Sequence, residues 1–139
     1  IIFLDGDTLR EVLVEKQKYS LTDRKKLAMK YSKFCMMIVE QEIDVVIATI
    51  SMFHDVRDWN RENIKNYNEV YIKVPMDILI DRDQKNIYSK ALSGEIKDVI
   101  GIDIDFEEPK NPDIIVLNNG LKSPEKIVEK ILKQFKLRK

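Results

Sequence analysis

Ile1-Ile2-Phe3-Leu4-Asp5-Gly6-Asp7-Thr8-Leu9-Arg10 decides the fold of this chain. An apolar run stops at two acids that flank a glycine, and an arginine follows three residues after the second acid. A short all-apolar run predicts a strand buried on both faces, as in a parallel sheet. Open parallel sheets bind ligands just beyond the carboxyl ends of their strands, so Asp5, Asp7 and Arg10 stand where a site belongs. Asp can take a proton or hold a hydrated metal, and Arg can clamp an anion with its planar fork. That set suits a phosphorylated or sulfated small molecule. An ordinary strand-to-helix turn, with Asp7 or Thr8 as N-cap, accounts for the same residues.

Outward from this stretch, apolar runs at 45–50, 70–74 and 114–117 repeat the strand signal. Segments of helical period lie between them. Thr22 or Asp23 is a candidate cap for a helix whose core face is Leu27, Tyr31, Phe34, Ile38 and Val39. Residues 52–65 read as a polar helix, and 76–80 and 85–92 as two shorter ones. A last helix opens with Ser123 as N-cap, Pro124 at its first position and Glu125 in its first turn, with Ile127, Ile131, Leu132 and Phe135 on its core face. Strand alternating with helix predicts an α/β protein with a parallel sheet and right-handed crossovers. Residues 93–112 form the long irregular stretch, a length that marks a functional loop.

The 139 residues fit one domain with a real core. Basic and acidic residues number 24 each. A formal charge of zero argues against a nucleic-acid binder held by bulk charge and for a small-molecule site with locally placed charge. The basic ending, Lys133, Lys136, Arg138 and Lys139, reads as a solvated helix end. The one cysteine, Cys35, sits in the helical apolar pattern and reads as a small core residue. It excludes a disulfide framework and a cysteine-rich metal site, and it points to the cytoplasm. No apolar run approaches the roughly 20 residues of a membrane span. The chain opens inside a strand without an initiating Met, so a further N-terminal piece is expected.

Two more clusters carry chemistry. Ile50-Ser51 ends the second strand, where the hydroxyl could contact phosphate, act as a nucleophile or cap the next helix. Arg82, Lys85, Lys90 and Lys97 read either as a solvated face or as a lid that closes over phosphates. The only histidine, His54, starts the next helix and is given no catalytic role. An acidic strand end, a hydroxyl strand end and a basic lid in one parallel α/β domain suggest a small P-loop kinase.

The chain resembles the adenylyl-sulfate (APS) kinase family along almost its whole length. The family's Leu-Asp-Gly-Asp-x-x-Arg is Leu4 to Arg10, and its aromatic-Ser-x-x-Asp-Arg is Tyr19 to Arg24. The Ile-Ser pair is Ile50-Ser51, and the lid signature Arg-Asp-x-Lys-x-x-Tyr-x-Lys-Ala runs from Arg82 to Ala91. Gly-Glu-Ile-Lys, Gly-Ile-Asp and Glu-x-Pro-x-Asn-Pro follow at 94–97, 101–103 and 107–112. Their order and spacing together are highly specific. The resemblance implies a three-layer P-loop kinase fold and ATP-dependent phosphorylation of a nucleotide 3′-hydroxyl, a transfer that depends on positioning and charge stabilisation. It implies that Asp7 orients or deprotonates the attacking hydroxyl and that Asp5 helps hold hydrated Mg²⁺. Arg10 and Arg24 would grip the acceptor's anionic groups, and Tyr19 would pack near its base. Ile50 would line the acceptor pocket, and Lys85 would reach the acceptor from a lid over about 82–112. Arg82 and Lys90 would face the ATP phosphates. Ser51 matches a serine that the family pattern carries as a phosphorylated intermediate, a step that direct in-line transfer does not require. A homodimer is the family's usual state.

The chain also departs from the pattern. No Gly-x-x-x-x-Gly-Lys-[Ser/Thr] occurs in it, so that loop and its strand are expected ahead of Ile1. Leu27 stands where APS kinases carry Asn, Thr49 where they carry Phe, and Met52 where they carry Pro. Asp98-Val99-Ile100-Gly101 replaces Asn-Phe-Thr-Gly, and the Phe lost at Val99 would stack on adenine. These changes gather around the acceptor base and leave the catalytic set intact. They fit a divergent APS kinase, and equally a branch that phosphorylates cytidine diphosphoramidate in making a capsule modification. The rivals are a non-catalytic kinase-like interaction module and another small P-loop kinase for sugars or shikimate-type alcohols.

Overall fold

A computed structural model describes residues 1–14, 20–83 and 85–135. The described chain runs β1 (Ile2–Asp5), α1 (Gly6–Leu13), α2 (Leu21–Val39), β2 (Val45–Ala48) and α3 (His54–Asn63), then β3 (Val70–Lys73), α4 (Met76–Arg82), α5 (Ile87–Leu92), β4 (Ile114–Leu117) and α6 (Pro124–Gln134). Strands and helices alternate as the sequence pattern requires. Contacts divide the chain into two compact units: the first holds Ile1–Tyr67 and Phe106–Glu108, the second Asn68–Asp105 and Pro109 onward.

In the first unit β1 and β2 pair in parallel, with Ile2 opposite Val45 and Asp5 opposite Ala48. Both strands therefore end level. Leu9 of α1 and Leu27 and Tyr31 of α2 form the buried cluster, and Leu4, Val14, Phe34 and Ile47 pack against it. Each such side chain contributes about 1.5–3 kcal/mol when fully buried. Cys35 is buried on the same helix, and burial pushes its thiol up, as suits an inert core residue. Contrary to what its all-apolar composition predicts, the opening run is not buried on both faces. Phe3 is 67% exposed, and its neighbour Val46 is exposed on the same face. Within this unit the helices cover only the face that carries Leu4 and Ile47.

Two caps differ from the sequence reading for a definable reason. Asp5, not Asp7 or Thr8, caps α1: its backbone is extended (φ −97°, ψ 131°), and its Oδ1 accepts from the Asp7 and Thr8 amides at 3.0 Å each. Ser20, not Thr22 or Asp23, caps α2. The Ser20 hydroxyl accepts from the Asp23 amide at 3.2 Å and donates to the Asp23 carboxylate at 2.6 Å. The two side chains thus bond each other, with the acid inside the first turn.

In the second unit β3 and β4 pair in parallel, Val70 opposite Ile114 and Lys73 opposite Leu117. Ile114 and Val116 are buried, and Ile115 and Leu117 are exposed. The last helix starts as its sequence requires, with Ser123 as N-cap and Pro124 in its first turn. The stretch 93–112 carries no helix or named strand, only a bridge between Ile100 and Ile104. Among the described residues no helix is long and apolar enough to cross a membrane.

Candidate active site at two strand ends

The end of β1 turns directly into α1, so Asp7 and Arg10 stand one helical turn apart on one helix. Gly6 makes the turn possible. A Cβ there would lie 2.9 Å from Thr49 Cγ2 and 3.0 Å from the Ala48 carbonyl, so the chain leaving β2 runs hard against it. The first two sequence clusters thus lie side by side: Asp5, Asp7 and Arg10 at one strand end, Ile50 and Ser51 at the other. Ile50 is 73% exposed and free of the core. Arg24 is half-buried in the first turn and a half of α2. Tyr19 lies outside the described residues.

Tyr31 supports the first strand end from below. It is 7% exposed, and its hydroxyl donates to the Gly6 carbonyl at 3.1 Å. Burial pushes its phenol up; Arg10 opposes that shift, and Asp7 and Asp5 add to it. The phenol therefore stays protonated and lies within the field of all three charged residues. Sequence reading placed Tyr31 on the core face but gave it no part in the site. Its register with Leu27 and Phe34 was the only available signal.

The second strand end is held differently. Of the three readings of Ser51, the helix cap is not realised: the N-cap of α3 is Phe53, which makes no side-chain cap bond. The first amide of α3, on His54, donates instead to the Glu107 carboxylate. The Ser51 carbonyl accepts from Arg57 Nη1 at 2.5 Å. Arg57 is buried, and neither it nor Glu107 was singled out as a site residue from sequence.

The basic cluster belongs to the second unit. Arg82, in the last turn of α4, donates to Asn118 Oδ1 at 3.3 Å. A cavity of about 280 Å³ is lined by Leu79, Arg82, Asp83, Lys85, Ile87 and Tyr88. Asp83 shapes its wall. The Asp83 carboxylate accepts from the Tyr88 amide at 2.9 Å, from the Ser89 amide at 3.0 Å and from the Ser89 hydroxyl, which holds its carboxyl below the usual range. It does the work of a cap for α5, whose own N-cap, Asn86, makes no side-chain bond. Lys85 and Lys90 are exposed on either side of that helix start. In the long loop, Asp103 accepts from the Asp98 amide at 2.7 Å and the Val99 amide at 2.5 Å, and Val99 is buried.

Among the described residues no group of three or more His, Cys, Asp or Glu is placed to hold a metal ion. Asp5 has one oxygen committed to the cap of α1 and can offer a single ligand. Mg²⁺ in phosphoryl-transfer sites commonly takes one or two carboxylates and fills its shell with water and substrate phosphates, so one acid fits.

The model of the adenylylsulphate kinase family matches residues 1–117. The chain is 42% identical over 137 residues to the cytidine diphosphoramidate kinase of Campylobacter jejuni, covering 99% of this chain and 79% of that one. It is 38% identical over 130 residues to the adenylyl-sulfate kinase of Clostridium kluyveri, covering 93% of this chain and 65% of that one. Among solved structures, the Mycobacterium tuberculosis APS kinase CysC in complex with AMPPNP and APS superposes with a TM-score of 0.86 at 27% identity, covering 96% of this chain and 79% of that one. With the parallel strands, the acid-bearing strand end and the full length of the match in hand, the chain belongs to the adenylylsulphate kinase family of nucleotide kinases.

Proposed function

We propose that this chain transfers the γ-phosphoryl group of ATP to the 3′-hydroxyl of a small nucleotide, and that its acceptor is of the cytidine diphosphoramidate type. The observation that carries the transfer is the pairing of Asp7 and Arg10 on one turn of α1, fixed by the Asp5 cap beneath them. Asp7 accepts the proton of the attacking hydroxyl as the new O–P bond forms and ADP leaves. Arg10 and Arg24 hold the acceptor's anionic groups by charge-assisted bonds. Ile50 lines the pocket, and the family pattern assigns Tyr19 to the base. The same pattern assigns Lys85 to the acceptor and Arg82 and Lys90 to the ATP phosphates. Ser51 contacts the transferring group rather than becoming phosphorylated. Asp5 would hold a hydrated Mg²⁺, whose chemistry is to neutralise charge on the phosphates. The protein works in the cytoplasm as a homodimer, in making a capsule modification.

Two residues favour the cytidine acceptor over adenylyl sulfate. Leu27 lies in the core cluster with Leu9 and Tyr31 and offers an acceptor no polar group. Val99 is buried and supplies no aromatic face for adenine. A site that lacks the amide for one base discriminates against that base strongly. The higher identity to the cytidine diphosphoramidate kinase points the same way. The full-length protein should release ADP from ATP and Mg²⁺ with cytidine diphosphoramidate at least tenfold faster than with adenylyl sulfate. The reverse preference overturns the acceptor, and no turnover with any nucleotide 3′-hydroxyl overturns the kinase in favour of an interaction module.

A further inference from the structure

Arg57 is a charged side chain buried to 4% exposure, in a helix whose other polar residues mostly face solvent. A buried guanidinium is costly unless its N–H groups are met. Here they are met by main chain from two distant segments. Nη1 donates to the Ser51 carbonyl at 2.5 Å, and Nη2 donates to the Glu107 carbonyl at 2.6 Å. Nη2 also lies 2.8 Å from His54 Nδ1. Arg only donates, so that ring nitrogen is the acceptor. Two further bonds close the ring: the His54 amide donates to the Glu107 carboxylate, and the Glu107 amide donates to the Met52 carbonyl at 3.2 Å. The chain spends only three residues, Phe106–Glu108, in the first unit before it leaves again at Pro109. Arg57 grips the middle one.

We propose that Arg57 is a positioning residue for the acceptor. It sets the course of the main chain through Ile50 and Ser51 by fastening it to the end of the long loop, so that the pocket floor and the loop end are held as one piece. Arg57 acts through the Ser51 and Glu107 carbonyls and touches no reacting group. The proposal rests on the assignment of the Ile50–Ser51 strand end to the acceptor side.

The test uses Arg57→Lys and Arg57→Met in the full-length protein, with steady-state kinetics and amide hydrogen exchange. Lys keeps the charge but replaces the fork with one nitrogen, and Met keeps the length without the charge. The acceptor KM should rise about tenfold or more in both, while the ATP KM stays within twofold. Peptides covering 49–53 and 105–109 should lose protection together while those of α2 keep theirs. An acceptor KM within twofold of the parent, or both KM values rising in parallel, overturns the proposal. So does loss of protection throughout the first unit in both variants, because Arg57 is then only a core fastener. If the parent turns over no acceptor, the kinase reading fails separately, and the exchange pattern alone decides the clamp: paired loss confined to the two segments keeps it, independent loss removes it.

Discussion

The ends of β1 and β2 lie level in one sheet, yet they are held in opposite ways. The β1 end is nearly self-sufficient. Asp5 caps the helix that follows it within three residues, and Tyr31 reaches in from a distance. The β2 end has no side-chain cap of its own and takes Arg57, six residues from Ser51, and Glu107, 53 residues from His54. A locally closed turn can hold a group at fixed geometry whatever the rest of the chain does. A turn closed by distant residues moves when those residues move. In the proposed function the first end carries the base that meets one hydroxyl, and the second carries the wall of the acceptor pocket.

Substitutions separate the two strand ends, and the largest effect falls on the first. Asp7→Asn should lower kcat about 10²- to 10⁴-fold, the range for losing a general base, with the ATP KM within twofold. An unchanged rate in an ADP-release assay removes Asp7 from the chemistry. Arg10→Ala should raise the acceptor KM about 10- to 100-fold, since charge-assisted bonds contribute about 1.5–3 kcal/mol. A matching rise in the ATP KM would place Arg10 on the wrong substrate.

The remaining tests separate support from chemistry. Asp5→Ala should cost about 1 kcal/mol in urea unfolding, whereas Asp5→Asn keeps the cap and should cost a few tenths. If Asp5→Asn raises the Mg²⁺ concentration needed for half-maximal rate without that loss of stability, the acid has two separable duties. Tyr31→Phe should cost about 1 kcal/mol for one buried hydrogen bond. The phenol pKa is raised in the folded state, so the stability Tyr31 contributes is full below about pH 10 and is lost as pH rises through the folded value. Tyr31→Phe should therefore flatten the alkaline limb of a stability-against-pH curve. The smallest effect belongs to Asp83→Asn, which should speed amide exchange at Tyr88 and Ser89 and leave the first unit unchanged.

The same contrast explains what could be read from sequence. The turn at Asp5-Gly6-Asp7 was legible because its chemistry is contiguous, and the four strands because apolar runs mark them. The choice of Asp5 over Asp7 as cap was not legible, since both acids satisfy the composition of a cap and only backbone angles separate them. The exposure of Phe3 followed from what packs within its unit, which no run of residues encodes. Arg57 and Glu107 stayed hidden because their partners are carbonyls and an amide, groups that every residue carries. Tyr31 was visible as a core residue and invisible as a hydrogen-bond donor for the same reason: its acceptor is the Gly6 carbonyl.

Gly6 sets a limit on how this lineage can diverge. Two atoms crowd the space beside it, a side-chain methyl of Thr49 and the main-chain oxygen of Ala48. A change at position 49 clears the first and leaves the second, because no substitution removes a backbone carbonyl. A side chain at position 6 therefore needs the main chain leaving β2 to give by a few tenths of an ångström, whatever stands at position 49. Under the proposed function, positions 27, 49 and 99 can change acceptor preference while Gly6 keeps the two strand ends close together.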